Sequence, residues 1–142
     1  MCSRISLLSL LAQSPLFYRN YVFIQVDLNE LAKEKISQAC FASPQLVCLF
    51  TQDRLSCYDH RERTKLFSHK ITAPNPCQLH AHPSEKDRFR VYLVCSSKIL
   101  VMDVLKKKIA STQVVSFDCF ISQCFFHPSC FFAVTAKAIT RI

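Results

Sequence analysis

Glycine is absent from the whole sequence, although it makes up about 7% of average protein chains. Turns that need a positive φ normally use glycine, so asparagine, aspartate, serine and proline are expected to fill the turns of this chain. A glycine-rich phosphate-binding loop is excluded as well. We therefore expect hairpins that are less ideal than usual, and a strained or marginal fold.

Long apolar runs are also missing. A membrane-spanning helix needs about 20 apolar residues, and no run in the sequence reaches that length, so we expect no membrane partner. The apolar residues 5–12, which follow Arg4, have two interpretations: a short secretory signal, or an opening strand or short helix. Cleavage of a signal would remove Cys2 and leave an even number of cysteines, which suits disulfide pairing.

The residues that are present favour strands. Hydrophobic residues make up 50% of the chain, with twelve phenylalanines and no tryptophan, and the β-branched residues cluster in short runs. Some of the nine cysteines lie inside apolar runs, where a free cysteine behaves as a small buried hydrophobic residue: Cys48, Cys95 and Cys124. This usage favours a reducing compartment, so we expect a cytoplasmic protein, with a nuclear or secreted protein as alternatives.

A strand–proline–strand pattern occurs three times along the chain. Its copies are centred on Pro44, Pro83 and Pro128, and a glutamine stands near the start of each first strand. The prolines stand 39 and 45 residues apart, close to the length of about 40–45 residues at which four-stranded propeller blades repeat.

A second element lies between the prolines: an apolar strand that contains an aspartate and is followed by a polar or basic turn. Its copies carry Asp27, Asp59 and Asp103. These strands are apolar on both faces, which suits strands sandwiched between neighbouring sheets.

These motifs resemble those of the WD-repeat family over residues 20–142. Two dipeptides stand where the family has Trp-Asp: Tyr58-Asp59 and Met102-Asp103. Two tripeptides are similar to its His-Pro-Ser turn: His82-Pro83-Ser84 and His127-Pro128-Ser129. The resemblance implies that the strand before the proline turn is innermost in its blade and that the aspartate strand is third.

The chain departs from the family at the glycines. Glu85 and Cys130 stand where a glycine should follow the turn, and the family's Gly-His pair is missing. The buried His–Asp network that often braces a WD-repeat blade is therefore not carried over to this sequence.

The fold prediction is an all-β, partial WD-repeat-like β-propeller of about three four-stranded antiparallel blades, with a short N-terminal helix or strand. Residues 1–19 form an N-terminal segment, and residues 20–142 form the propeller domain, with repeat units of about 20–54, 55–98 and 99–142. A sandwich or small barrel is the alternative. Because closed propellers need about four to eight blades, we expect a fragment, a shortened product, or part of a ring completed by another chain.

Basic turns are the candidate partner-binding site. They follow two of the aspartate strands and contain Arg61, Arg63, Lys65, Lys106, Lys107 and Lys108. A propeller would place equivalent turns on the same rim, where they could contact RNA phosphates or an acidic protein surface. The alternative is that these are solvated hairpin tips whose lysines guard against edge pairing. The net charge of +8 is compatible with both.

Metal binding and catalysis find weaker support. Two cysteine–histidine groups offer zinc-type ligands without the usual paired spacing: Cys119, Cys124, His127 and Cys130, and Cys77, His80 and His82. No family signature surrounds any cysteine, so we expect no enzyme activity, no metal, no cofactor and no small-molecule substrate.

The predicted function is a non-catalytic protein–protein interaction scaffold that acts as a subunit of a larger assembly, with other protein subunits as partners. One alternative is a basic, RNA-associated subunit. A second alternative is a small secreted domain held by disulfides.

Overall fold

The computed structural model describes residues 4–6, 25–32, 34–73, 78–85, 88–105 and 107–142. The chain forms two compact units, Met1–Lys70 and Ile71–Ile142. Of the described residues, 68% lie in strands and 3% in a helix, and all the strand pairs are antiparallel, which confirms the predicted all-β class. The proposed boundary after residue 19 and the repeat units 20–54, 55–98 and 99–142 stay predictions.

The described residues of the first unit form six strands and one short helix: β1 Arg4–Ser6, β2 Gln25–Asp27, α1 Leu28–Leu31, β3 Ile36–Phe41, β4 Leu46–Thr51, β5 Arg54–Asp59 and β6 Thr64–Lys70. Strands β3 to β6 form a four-stranded meander, and β1 pairs with β2. Val26 and Leu28 pack against one face of the meander, on Val47, Leu49 and Tyr58. The remainder of the apolar stretch 5–12 lies outside the described residues.

The second unit contains two further sheets, built from β7 Gln78–Glu85, β8 Arg88–Val94, β9 Lys98–Leu105, β10 Lys108–Ser116, β11 Ile121–Phe126, β12 Phe131–Thr135 and β13 Ile139–Arg141. Strands β7 to β10 form a second four-stranded meander, and β11 to β13 form a three-stranded one. Of the three predicted aspartates, Asp59 lies on β5 and Asp103 on β9, the third strands of their sheets, whereas Asp27 ends β2 of the two-stranded sheet. Both four-stranded sheets therefore have the strand order of a propeller blade.

The first strand of each sheet confirms the repeat at the level of single residues. The three glutamines occupy the same register position near the start of the first strand, opposite the second strand: Gln38 faces Phe50, Gln78 faces Val94, and Gln123 faces Val134.

A bulged serine precedes two of these glutamines. The hydroxyl of Ser37 donates a hydrogen bond of 2.9 Å to the Phe50 carbonyl, and that of Ser122 donates one of 3.0 Å to the Val134 carbonyl. Both serines sit where the strand register shifts by one residue. A β-bulge twists the strand and re-aims its side chains, so the same bend is built into both sheets.

The three prolines do not share one environment, so the predicted proline turn is wrong for one copy. Pro44 and Pro128 lie in the turns between the first and second strands, but Pro83 lies inside β7, opposite Phe89. Both strands extend past Pro83, as far as the pair formed by Glu85 and Arg88. Proline is tolerated there because β7 is an edge strand, and because a register shift follows at Glu85.

Positive-φ positions are filled by residues that the sequence did not indicate. Among the described residues they are Gln52, Arg63 and Lys107, with φ of 49°, 54° and 69°. Each lies in a hairpin turn between two strands of its sheet. A left-handed backbone costs a non-glycine residue about 1–2 kcal/mol, so the strain expected from a glycine-free chain is located at these turns.

The two sheets of the second unit stack face to face. The ring of Tyr92 on β8 stacks on that of Phe131 on β12, with centroids 4.1 Å apart and planes at 20°. Val94, Ile99 and Ala133 are buried in the same cluster. This packing confirms the expectation that neighbouring sheets hide their apolar surfaces against each other.

Candidate functional site

The turn between β5 and β6 is organised by Asp59. Its Oδ1 accepts hydrogen bonds from the backbone N–H groups of Arg61 at 3.0 Å and Glu62 at 3.1 Å, and its Oδ2 accepts one from the side-chain amide of Gln45. Burial by itself raises the pKa of Asp59, but these hydrogen bonds outweigh it and leave the pKa below the usual value. The carboxylate is therefore charged, and it fixes the backbone that carries the predicted basic residues.

Arg61, Arg63 and Lys65 are all exposed on this turn and at the start of β6. Arg63 forms an ion pair of 3.6 Å with Glu30, in which the side chains keep 73% and 58% of their exposure. The Lys65 ammonium lies 5.7 Å from the centroid of the Tyr58 ring. Exposed ion pairs of this kind contribute about 0–1 kcal/mol, so the arginine remains accessible to a partner.

The turn between β9 and β10 carries the second predicted basic group. Lys107 has a left-handed backbone, Lys108 begins β10, and both side chains are exposed. Lys106 lies outside the described residues. Both basic turns connect the third and fourth strands of a four-stranded meander, so they are topologically equivalent. Their place on one common rim stays a prediction.

Two arginines that sequence reasoning missed lie beside the second basic turn. Arg88 pairs with Leu105, and Leu105 pairs with Lys108, so the arginine and the lysine lie two strands apart at the same end of the sheet. Arg90 lies two pairs further along, opposite Asp103. The alternation of Arg88 and Arg90 on one strand could have indicated them, since residues i and i+2 share a face.

Asp103 anchors these arginines. Its carboxylate accepts a hydrogen bond of 3.1 Å from Arg90 Nε and one of 3.3 Å from the Ser111 hydroxyl, and a guanidinium nitrogen of Arg88 lies 3.8 Å away. Burial raises the pKa of Asp103, but the Arg90 hydrogen bond and the neighbouring charges leave it below its usual value. The same hydrogen bond raises the pKa of Arg90. The two aspartates that stand where the WD-repeat family has Trp-Asp therefore have different structural roles. Asp59 stabilises a turn, whereas Asp103 links side chains of three neighbouring strands.

Three of the described cysteines, Cys48, Cys57 and Cys124, are buried thiols that are not activated as nucleophiles. Cys40, Cys48 and Cys57 are directly opposite one another on β3, β4 and β5. A hydrogen bond with Cys40 and burial raise the pKa of the Cys48 thiol, and a hydrogen bond with Cys48 and burial raise that of Cys57. Burial raises the pKa of Cys124 to about 11. Raised thiol pKa values keep these side chains neutral, in the form that neither attacks substrates nor binds metals.

The predicted zinc-type groups do not converge in the part of the chain that is described: no three His, Cys, Asp or Glu side chains there are placed to hold one metal ion. Cys77 lies outside that part. His80 instead packs against Phe131, with ring centroids 5.2 Å apart, and burial lowers its pKa. Nor does any helix among the described residues have the length and apolar character needed to cross a membrane.

Comparison with solved structures identifies the class of fold. The chain is similar to the WD40 domain of SCAP from fission yeast, with a TM-score of 0.57 and 13% identity over 84% of this chain and 36% of that one. It is also similar to a chain in the complex of the fission yeast SREBP-SCAP binding domains, with a TM-score of 0.56 and 12% identity over 84% of this chain and 42% of that one. Hsv2 from Kluyveromyces lactis is a weaker match, with a TM-score of 0.49 and 12% identity over 75% of this chain and 32% of that one.

The fold is that of a partial WD40-like β-propeller. The chain spans less than half the length of these structural neighbours. No protein-family model matches the sequence, and no curated protein matches it either.

Proposed function

We propose that this protein is a non-catalytic interaction scaffold, a subunit of a cytoplasmic assembly that binds an acidic surface of a partner protein through its basic hairpin turns. The observation that carries the proposal is the recurrence of an exposed basic turn between the third and fourth strands of both four-stranded sheets. A propeller-type fold supports it, because such sheets present turns on a rigid support. The complex formed by the similar SREBP-SCAP binding domains is consistent with a fold used for protein partners.

The basic side chains of the turn between β5 and β6 are better suited to binding a partner than to stabilising the fold. Arg61, Arg63 and Lys65 have at most one weak, exposed ion pair among the described residues, so their charges contribute little to folding. Charges at the edge of an interface mainly raise the association rate and reject partners of like charge. We therefore expect loss of binding, without loss of fold, when the sign of these charges is reversed.

The test is capture of binding proteins from a native extract with the intact chain and two charge-reversed variants. The first variant combines Arg61→Glu and Arg63→Glu. The matched control combines Arg54→Glu and Lys70→Glu, which are paired exposed basic residues at the opposite end of the same sheet. The proposal requires a partner with an acidic surface that is lost with the first variant and kept with the control. Equal binding by both variants would contradict it.

RNA association is the second candidate, and the net charge of +8 together with the clustering of Arg88, Arg90, Lys107 and Lys108 favours it. Phosphate contacts lose affinity steeply as salt rises, whereas an interface with an apolar protein core does not. Nuclease treatment of the extract separates the two candidates. A partner that is retained after RNase digestion supports protein binding, and one that is released supports RNA.

A further inference from the structure

Three cysteines form one continuous row across the first three strands of the β3–β6 sheet. Cys40 on β3 is directly opposite Cys48 on β4, and Cys48 is directly opposite Cys57 on β5. Residues that are opposite each other on neighbouring strands share one face of the sheet. The three thiols therefore lie side by side, and hydrogen bonds join the central Cys48 thiol to both of its neighbours. All three are free thiols in the structure.

The three thiols differ in their access to solvent. Cys48 and Cys57 are each 0% exposed, whereas Cys40 is only partly buried. The hydrogen bond with Cys40 and burial raise the pKa of Cys48, which keeps its thiol neutral and unreactive toward dissolved reagents. A reagent that approaches this row from solvent therefore meets Cys40 first.

The spacing of the strands suits a bond between Cys40 and Cys48. The Ala42 N–H donates to the Leu46 carbonyl, so these two residues are a hydrogen-bonded pair of the antiparallel ladder. The two kinds of pair alternate along a ladder, so the Cys40–Cys48 pair, two residues further along, is hydrogen-bonded as well. The Cα atoms of such a pair are about 5.5 Å apart, and the most common separation in disulfides is about 5.5–6 Å.

The pair formed by Cys48 and Cys57 is of the other kind. The His60 N–H donates to the Gln45 carbonyl, and the two cysteines lie three residues further along their strands. Alternation makes them a non-hydrogen-bonded pair, with Cα atoms about 4.5 Å apart, which is close to the lower limit for a disulfide. Both of these thiols are also buried. Access and spacing therefore agree in selecting Cys40 and Cys48.

We propose that Cys40 and Cys48 form a reversible oxidation site for a small disulfide of the glutathione type, in which Cys40 takes up the reagent and Cys48 displaces it. In the first step the Cys40 sulfur attacks one sulfur of the reagent, the S–S bond of the reagent breaks, and one thiol leaves with the Cys40 proton. In the second step the Cys48 sulfur attacks the Cys40 sulfur, and the second thiol leaves with the Cys48 proton. The two cysteines lose two hydrogens in total, and the reagent gains them as two thiols.

Proximity compensates for the small thiolate fraction of Cys48 in the second step. Because Cys48 is held opposite Cys40, its attack is intramolecular and needs no dissolved thiol to enter the sheet. The bond is reversible because the Cβ atoms of neighbouring strands are about 4.5–5.5 Å apart, whereas a relaxed disulfide brings them to about 3.8 Å. Strained disulfides are more easily reduced, and in reducing compartments disulfides are usually transient and serve redox sensing.

The experiment treats the complete folded chain with oxidised glutathione, traps the remaining thiols by alkylation and maps the tryptic peptides by mass spectrometry. Trypsin separates the three cysteines because it cleaves after lysine and arginine: Cys40 and Cys48 fall on peptide 36–54, and Cys57 falls on peptide 55–61. The expected product is the first peptide, two hydrogens lighter than its reduced form, together with the second peptide in its alkylated form. Reduced glutathione should reverse the change.

Three single variants separate the roles of the thiols. In Cys48→Ser, glutathione should stay on Cys40, and this mixed disulfide should accumulate to about tenfold the level found in the unaltered chain. In Cys40→Ser, Cys48 should stay reduced because the reagent does not reach it. Cys57→Ser is the matched control, since it removes another buried thiol of the same row, and the bond between Cys40 and Cys48 should still form.

Far-ultraviolet circular dichroism checks that each variant keeps its fold, and peptide mapping of the unaltered chain decides the question where a variant does not fold. The proposal is overturned if peptide 36–54 does not lose two hydrogens, if peptides 36–54 and 55–61 become cross-linked, or if Cys48 is oxidised in Cys40→Ser. The site uses none of the basic turns. The combined Arg61→Glu and Arg63→Glu variant should therefore be oxidised normally, so failure here is distinct from failure of the proposed function.

Discussion

Replacement of Phe131 by alanine should remove most of the contact between the two sheets of the second unit. Phe131 is 1% exposed, and its ring contacts Tyr92 at 4.1 Å, Phe126 at 4.9 Å and His80 at 5.2 Å between centroids. Phe→Ala substitutions in cores cost about 3–5 kcal/mol of unfolding free energy. With three aromatic neighbours lost, we expect a decrease in the unfolding free energy of at least the middle of that range, about 4 kcal/mol.

Urea unfolding followed by far-ultraviolet circular dichroism measures this loss. Phe120→Ala is the matched control, because Phe120 is 76% exposed in the loop between β10 and β11 and should change the unfolding free energy by about 0.5 kcal/mol or less. Small domains have a total stability of about 5–15 kcal/mol, so a loss of 4 kcal/mol is a large fraction of it. Equal effects of the two substitutions would refute face-to-face packing of the sheets.

A double-mutant cycle assigns the effect to one contact. Tyr92→Leu keeps an apolar side chain at the position but removes the stacked ring. Combined with Phe131→Ala, it should show a coupling energy of about 1 kcal/mol, the usual worth of an aromatic pair beyond its buried area. Strict additivity would mean that these two rings do not touch.

Three further substitutions test local features of the fold. Gln52→Gly should raise the unfolding free energy by about 0.5–1 kcal/mol and the thermal midpoint by about 4 °C, because glycine adopts a positive φ without strain. Asp53→Gly in the same turn is the control and should lower both quantities. Burial lowers the pKa of His80 in the folded chain, so the unfolded chain takes up a proton more readily. The unfolding free energy should therefore fall as the pH drops below about 6.5. His80→Phe should make the unfolding free energy less dependent on pH, as measured by urea unfolding at a series of pH values. Ser122→Ala should cost about 1 kcal/mol in thermal unfolding, because it removes the hydrogen bond to the Val134 carbonyl, and an unchanged midpoint would rule out the bulged-serine geometry.

The repeat was predictable because it rests on local chemistry. The strand–proline–strand pattern and the aspartate strands recur in the sequence, and the structure shows local causes for parts of both: the bulge at Ser37 and Ser122, and the turn held by Asp59. The strands that are apolar on both faces likewise indicated that each sheet is packed between two neighbouring sheets. Local patterns of this kind need no knowledge of which strands pair.

The features that sequence reasoning missed depend on register. Arg88 and Lys108 are far apart in the chain and meet only because both pair with Leu105. The displacement of Pro83 into β7 depends on how far the strands extend past it. The left-handed turns were assigned to the wrong residue types, because hairpin closure, rather than intrinsic preference, forces Gln52 and Lys107 into a positive φ. All three features are set by the pairing of strands that are distant in the sequence.

The central claim is that one β-strand unit repeats three times with the same register, and nuclear Overhauser contacts across the first two strands of each sheet test it most directly. The three glutamines should each give backbone contacts to the residue opposite: Gln38 to Phe50, Gln78 to Val94, and Gln123 to Val134. All three contacts together would establish the repeat. A different partner for any of these glutamines, or short-range contacts typical of a helix, would contradict it.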